Sequence, residues 1–237
     1  MSHTDRVVFV AGATGVLGRV VAAAFAEQGH RVALGGRDPE RLRSVAGELG
    51  LSKDGWVAAT GDLRTAAGAV EAATTAIAAF GRIDILVHLV GGFAAGTPLV
   101  ELERAETEAM LDQHVWTTLN IVKAVVPAMM DRGWGRVIAA GTAAAITAPA
   151  KSGPYAASKA AQEILLRTLA KEVAPSGVTV NIVAMRAIDE RRERETAPTP
   201  KNAPWTTPEE IAATVLFLAS DAAAAINGAR IALDGRV

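Results

Sequence analysis

The sequence predicts an α/β fold, a doubly wound parallel sheet of about seven strands with helices on both faces. Three observations predict it. Short runs rich in valine, isoleucine and alanine alternate with longer patterns of helical period. The strand runs are short and mostly apolar, as suits a parallel sheet covered on both faces. Half of the 237 residues are hydrophobic and only 4% are aromatic, so the packing is expected to be rich in alanine and valine.

Strands are expected at 7–11, 31–34, 57–60, 83–89, 136–140, 179–184 and 230–233, and helices at 15–28, 39–49, 65–80, 103–132, 155–174 and 208–220. The fourth helical pattern is long enough to be broken inside. Gly29, Gly81 and Gly133 follow the first, third and fourth helices, where a left-handed residue ends a helix well. Pro39 falls at a helix start, where its missing amide costs little. The chain reads as a single domain over 1–237, without internal repeat or interdomain linker. The segment 185–207 is dense in charge and proline and too long for an ordinary connection, so it is expected to be a substrate lid. Within it, Glu190-Arg191-Arg192-Glu193-Arg194-Glu195 reads as a solvated face.

The formal net charge of −1 gives no reason to expect a nucleic-acid or membrane-surface partner. The absence of cysteine excludes disulfides and thiolate metal sites and suits a reducing compartment. No metal site is expected. The first residues, Met1-Ser2-His3-Thr4-Asp5-Arg6, carry no apolar signal region, and no apolar run is long enough to span a bilayer. These features predict a soluble, cytoplasmic protein.

Between the first strand and first helix lie Gly12, Gly15 and Gly18, the context in which a glycine turn brings backbone close to a pyrophosphate held at a helix N-terminus. After the second strand comes Gly35-Gly36-Arg37-Asp38. Gly36 stands where an acid for the ribose 2′-hydroxyl is sought, and the Arg37 guanidinium suits a 2′-phosphate. NADP(H) is therefore favoured over NAD(H), with Asp38 able to serve as that acid if the strand runs two residues further.

Tyr155, the only tyrosine, begins Tyr155-Ala156-Ala157-Ser158-Lys159. On a helix the phenol and the ammonium share a face, and the cation is expected to pull the phenol towards neutrality as a general acid.

With these elements in place, the chain resembles the short-chain dehydrogenase/reductase family over nearly its whole length. The glycine turn, Asp62-Leu63, Tyr155 with Lys159, and the ending Asn227-Gly228 to Leu233-Asp234-Gly235 carry the resemblance. It implies a Rossmann-type fold and a dinucleotide held by Gly12, Thr14, Gly15, Val16, Leu17, Arg37, Asp62, Leu63, Val90, Gly91, Tyr155 and Lys159. Asp62 would hold the adenine, and Lys159 the nicotinamide ribose while lowering the tyrosine pKa. Thr142, thirteen residues before Tyr155, matches the hydroxyl residue that polarises the substrate. Tyr155 would exchange the proton.

The chain departs from the commonest pattern at several positions. Val16 stands where glycine is usual, His88-Leu89-Val90-Gly91 replaces Asn-Asn-Ala-Gly, and Met185-Arg186 replaces Pro-Gly. The relay asparagine falls on His114, whose imidazole could take over that role by titrating near neutrality. A packed, hydrogen-bonded histidine is the other reading. Val90-Gly91-Gly92-Phe93, the run Gln113 to Thr117, and Trp205-Thr206-Thr207-Pro208 are similar to the dihydropteridine reductase branch. Trp116 and Trp205 are candidates for an aromatic-binding pocket. The reading that follows is hydride transfer to a small carbonyl or imine-like substrate by a homo-tetramer or homo-dimer. A catalytically silent dinucleotide sensor and a scaffold are the alternatives.

Overall fold

Three of the seven strands are wholly buried and two more nearly so, and this places them inside a layer with helices on either side. The computed structural model describes residues 5–235; residues 1–4, part of the stretch read above for a leader, and 236–237 lie outside the described residues. The strands are β1 (Val7–Ala11), β2 (Arg31–Gly36), β3 (Trp56–Thr60), β4 (Ile85–His88), β5 (Gly135–Thr142), β6 (Val178–Met185) and β7 (Arg230–Leu233). They form one parallel sheet in the order β3-β2-β1-β4-β5-β6-β7. The chain direction across the sheet reverses between β1 and β4, which opens a crevice at the carboxyl ends of those strands.

The helices are α1 (Val16–Glu27), α2 (Pro39–Glu48), α3 (Ala66–Phe80), α4 (Arg104–Leu111), α5 (Thr117–Asp131), α6 (Ala144–Thr147), α7 (Gly153–Val173), α8 (Glu193–Thr196) and α9 (Pro208–Ala219). Successive strand residues point to opposite faces. Phe9 and Ala11 of β1 accordingly join the core under α3, α5 and α7, while Val8 and Val10 join the one under α1, α2 and α9. The α3 side is lined by Ala69, Ala72, Ala73 and Ala76, so helix and sheet approach closely without large side chains. Among the described residues no helix is long and apolar enough to cross a membrane.

The differences from the expected elements have local causes. β2 runs to Gly36, two residues further than expected, because Gly35 and Gly36 continue the pairing with Ala59 and Thr60. β4 begins only at Ile85; the Asp84 carboxylate instead accepts the Val7 amide (2.9 Å) and the Arg82 Nε–H (2.8 Å). The break expected inside the helix over 103–132 is present, as a π-helical turn at Asp112–Trp116 that connects α4 to α5.

The segment 185–207 is tied down. Its Asp189 carboxylate accepts the amides of Glu193 and Arg194 (2.7 and 2.9 Å), capping α8, and Ile188 bridges Thr206. The charge run is only in part the solvated face expected: Arg194 is buried, donating to the Trp205 carbonyl (2.7 Å) and pairing with Glu210 (2.6 Å).

Candidate active site

The crevice holds a cleft of about 390 Å³, floored by Gly12, Thr14 and Gly15. Its walls include Gly35, Gly36 and Arg37 after β2, Asp62, Leu63 and Arg64 after β3, and Val90 and Gly91 after β4. The Gly35 carbonyl accepts the amides of both Gly12 and Ala13 (3.0 and 3.1 Å), folding the turn back on β2. Gly12 has φ +89°, and a Cβ there would lie 3.2 Å from the backbone of Leu89 and Val90. At Gly18 a Cβ would overlap the Gly12 carbonyl oxygen, so glycine lets α1 start directly beneath the turn. Gly15 caps α1 without a side-chain bond, which leaves first-turn amides for an anion. Of the two expected contacts in that turn, Val16 is half-exposed while Leu17 is packed in the core; both would contribute through the backbone.

Asp38 is engaged elsewhere: its Oδ1 accepts the amides of Glu40 and Arg41 (3.0 and 3.2 Å) and caps α2. The Asp62 carboxylate is gripped by Arg64, whose Nε–H lies 3.0 and 3.1 Å from its two oxygens and holds it below the usual carboxylate range. Sequence reasoning missed Arg64, Gln113 and Thr117 in the cleft wall. The first was legible as the residue two beyond Asp62; the other two come from the unforeseen π turn and the start of α5.

Beyond Gly91 the cleft meets the Tyr155 cluster. A Cβ at Gly91 would sit 2.8 Å from His114 Nε2 and 3.8 Å from Lys159 Nζ. Thr142 ends β5, and Tyr155 stands in the first turn of α7, just after Pro154 at the second helical position. The Thr142 hydroxyl accepts the Ala144 amide (3.3 Å) and stands near enough to the phenol to favour its ionised form. Burial pushes the phenol up, the Thr142 hydroxyl pulls it back, and the Glu163 charge pushes it up again. This corrects the expectation that the phenol is drawn towards neutrality: Tyr155 is a protonated phenol, a stored proton. Lys159 is buried, with Nζ donating to the Ala140 carbonyl and to Gln162 Oε1 (both 2.9 Å). Burial brings it down to about 8, opposed by Glu163.

His114 lies in the π turn with both ring nitrogens engaged. Ser158 donates its hydroxyl to the Tyr155 carbonyl (2.9 Å), so His114 Nδ1–H must donate to Ser158 Oγ (2.9 Å). Nε2 then accepts the Gly92 amide (3.3 Å). Burial, with the Lys159 charge behind it, pushes His114 down to about 4. The expectation of an imidazole titrating near neutrality is corrected: the ring is neutral and holds the Gly92 loop against α7. His88 is likewise neutral, pushed down to about 3 by burial. Trp116 is half-exposed and neither it nor Trp205 lines the cleft. The aromatic beside the phenol is Phe93, edge-on to Tyr155 with centroids 5.0 Å apart.

A half-buried phenol, a lysine one helical turn away and a glycine cradle leading to both give the comparisons with known proteins their meaning. The profile of the family described as short chain dehydrogenase matches residues 6–200. The chain belongs to the short-chain dehydrogenase/reductase family. It is 34% identical to D-threitol dehydrogenase of Mycolicibacterium smegmatis, over 97% of this chain and 92% of that one. It is 32% identical to the hydroxy(phenyl)methylsuccinyl-CoA dehydrogenase subunit BbsC of Thauera aromatica, over 96% and 92% of the two chains. An uncharacterised oxidoreductase of Staphylococcus saprophyticus is 32% identical over 78% of this chain and 79% of its own. The chain is an oxidoreductase of a family that uses NAD(H) or NADP(H), and its glycine cradle fits such a dinucleotide.

Two neutral buried histidines make stability depend on acid. In the unfolded chain they take up protons below about pH 6.5, whereas in the fold they do so only near 4 and 3. Their contribution is complete above 6.5 and is lost as pH falls through that window. Urea unfolding at pH 7 and pH 5 should show a loss of about 3–4 kcal/mol from the pair. His114→Asn should remove about half of that loss; an unchanged loss would mean that His114 is already charged in the fold.

Proposed function

We propose that the protein transfers hydride between NADP(H) and a small ketone or secondary alcohol, with Tyr155 as the acid/base. The observation that carries this reading is the grouping of the Thr142 hydroxyl, the half-buried Tyr155 phenol and the buried Lys159 ammonium beside Gly91, at the end of the glycine-lined cleft.

When bound, the nicotinamide supplies or accepts the hydride. In the reducing direction the substrate carbonyl oxygen is held by Thr142 and takes the proton of the Tyr155 hydroxyl, so the ketone gains one hydride and one proton. The Lys159 ammonium, one turn along α7, stabilises the phenolate left behind and is placed beside Gly91 to hold the ribose. In the oxidising direction the phenolate takes the alcohol proton back. The relatives named for oxidising D-threitol and a hydroxy(phenyl)methyl group support an alcohol/ketone pair. A flat, imine-like substrate such as a pteridine is the second reading, favoured by Phe93, 72% exposed beside the phenol. The retained geometry of Thr142, Tyr155 and Lys159 supports an active enzyme over a silent sensor.

For the cofactor, Asp38 is spent on capping α2 while Arg37 lines the cleft, which supports NADP(H). The segment 185–207 starts where β6 ends beside Thr142, a position suited to covering the substrate. Exposed Ile164 on α7 and Trp116 in the adjacent π turn support self-association as a dimer or tetramer.

Tyr155→Phe removes one hydroxyl and little volume. NADPH oxidation against a panel of ketones, polyol-derived ketoses and quinonoid dihydropteridine should fall by about 10²–10⁴-fold, with NADPH affinity retained. Turnover near wild type would end the assignment.

Arg37→Ala should weaken NADPH by about tenfold or more and leave NADH nearly unchanged, since a charge-assisted phosphate contact is worth about 1.5–3 kcal/mol. Equal losses by fluorescence titration, or a wild-type preference for NADH, would overturn the NADP(H) reading.

A further inference from the structure

Behind the Tyr155 cluster lies a second charged group that the hydride-transfer chemistry does not use. Arg230, the first residue of β7, donates Nε–H to Glu163 Oε2 (2.9 Å) and Nη2–H to the Thr142 carbonyl (2.9 Å). Glu163, two turns along α7 from Tyr155, turns its other oxygen to the Thr142 amide (3.4 Å). The pair thus holds both main-chain polar groups of Thr142, whose side chain meets the phenol. Glu163 is buried and Arg230 largely so. Room for the carboxylate exists because residue 141 is glycine: a Cβ there would lie 2.8 Å from Glu163 Oε1 and 2.6 Å from Ile182 Cγ2.

We propose that Gly141, Glu163 and Arg230 are one positioning device, which fixes the Thr142 hydroxyl on Tyr155 and sets the charge behind the phenol and Lys159. The inference rests on the reading of Tyr155 and Thr142 as the reacting pair. A carboxylate near a phenol disfavours phenolate, and near an ammonium favours its charge; both directions are seen at Tyr155 and Lys159. Arg230 compensates the carboxylate, so the field at the phenol is the difference between two opposite charges rather than that of either alone. The other titratable groups around Tyr155 are Lys159 on α7, His114 in the π turn and His88 at the end of β4. At the alkaline pH where a phenol titrates, all three are neutral, since they titrate at about 8, 4 and 3. A change in the tyrosine midpoint therefore reads Glu163 and Arg230.

Because Tyr155 is the only tyrosine, protein labelled at tyrosine ¹³Cζ gives one resonance whose pH titration reports this phenol without any substrate. Glu163→Gln should lower the midpoint by about half to one unit, and Arg230→Met should raise it by a similar amount. At pH 7, the Thr142 amide in Arg230→Met should exchange at least ten-fold faster, while that of Ile138 on the same strand stays as in wild type. Unchanged midpoints in both variants, or Thr142 and Ile138 exchange rising together, would reduce the pair to general scaffolding and overturn the proposal. If Arg230→Met does not fold, the isosteric Glu163→Gln decides on its midpoint alone. Wild-type turnover in Tyr155→Phe would defeat the reading of the function while leaving these midpoints to stand or fall by themselves.

Discussion

Burying the ammonium of Lys159 is the constraint around which the Tyr155 end of the site is arranged. An uncompensated charge in a protein interior is costly, and a group without partners loses its proton instead. Here the cation meets the Ala140 carbonyl near the end of β5, the Gln162 amide oxygen on its own helix and the field of Glu163. Each partner is itself held. Gln162 donates to Thr118 Oγ1 (2.7 Å), which donates to the His114 carbonyl (2.6 Å), and Glu163 pairs with Arg230. One buried lysine thereby couples β5, α5, α7, β7 and the π turn. The polar groups are connected throughout, the arrangement in which a buried network rigidifies rather than destabilises.

The sheet gives this network its place. The first strand contributes the phosphate turn and the fourth the loop through Gly91, and these two strands are neighbours at the reversal of chain direction. Gly91 touches the cleft on one side and stands against His114 and Lys159 on the other. A dinucleotide lying along the cleft would therefore reach the phenol without rearrangement of the sheet. The π turn follows the same logic: it offsets His114 from a regular helix so that its ring can reach both Ser158 and the Gly92 amide. Such turns recur at functional sites because they release backbone and re-aim side chains.

Much of this was legible in the sequence. The strand–glycine–helix context located the cleft, and the spacing of Tyr155 and Lys159 put the two on one face of α7. The seven strands were recognised because short, mostly apolar runs alternate with longer patterns of helical period. What could not be read was the partner of each polar group. Asp38 and Arg37 are adjacent, and only the extension of β2 to Gly36 shows that one caps a helix while the other lines the cleft. Arg194 sits in a run of alternating charges, yet a tertiary partner at Glu210 buries it. Glu163 and Arg230 are separated by 67 residues, so their pairing depends on register across three strands. The neutrality of His114 likewise follows from burial, which residue spacing does not encode.

If the nucleotide cleft and the lone tyrosine are parts of one site, a ligand bound in the cleft must be felt at the phenol. The most direct measurement is a titration of ¹³Cζ-tyrosine-labelled protein with NADP⁺, following the single tyrosine resonance while calorimetry records binding. A saturable shift of that resonance is expected, with the same midpoint as the heat of binding. Full calorimetric saturation with an unmoved tyrosine resonance would place the cofactor away from Tyr155 and contradict the single site.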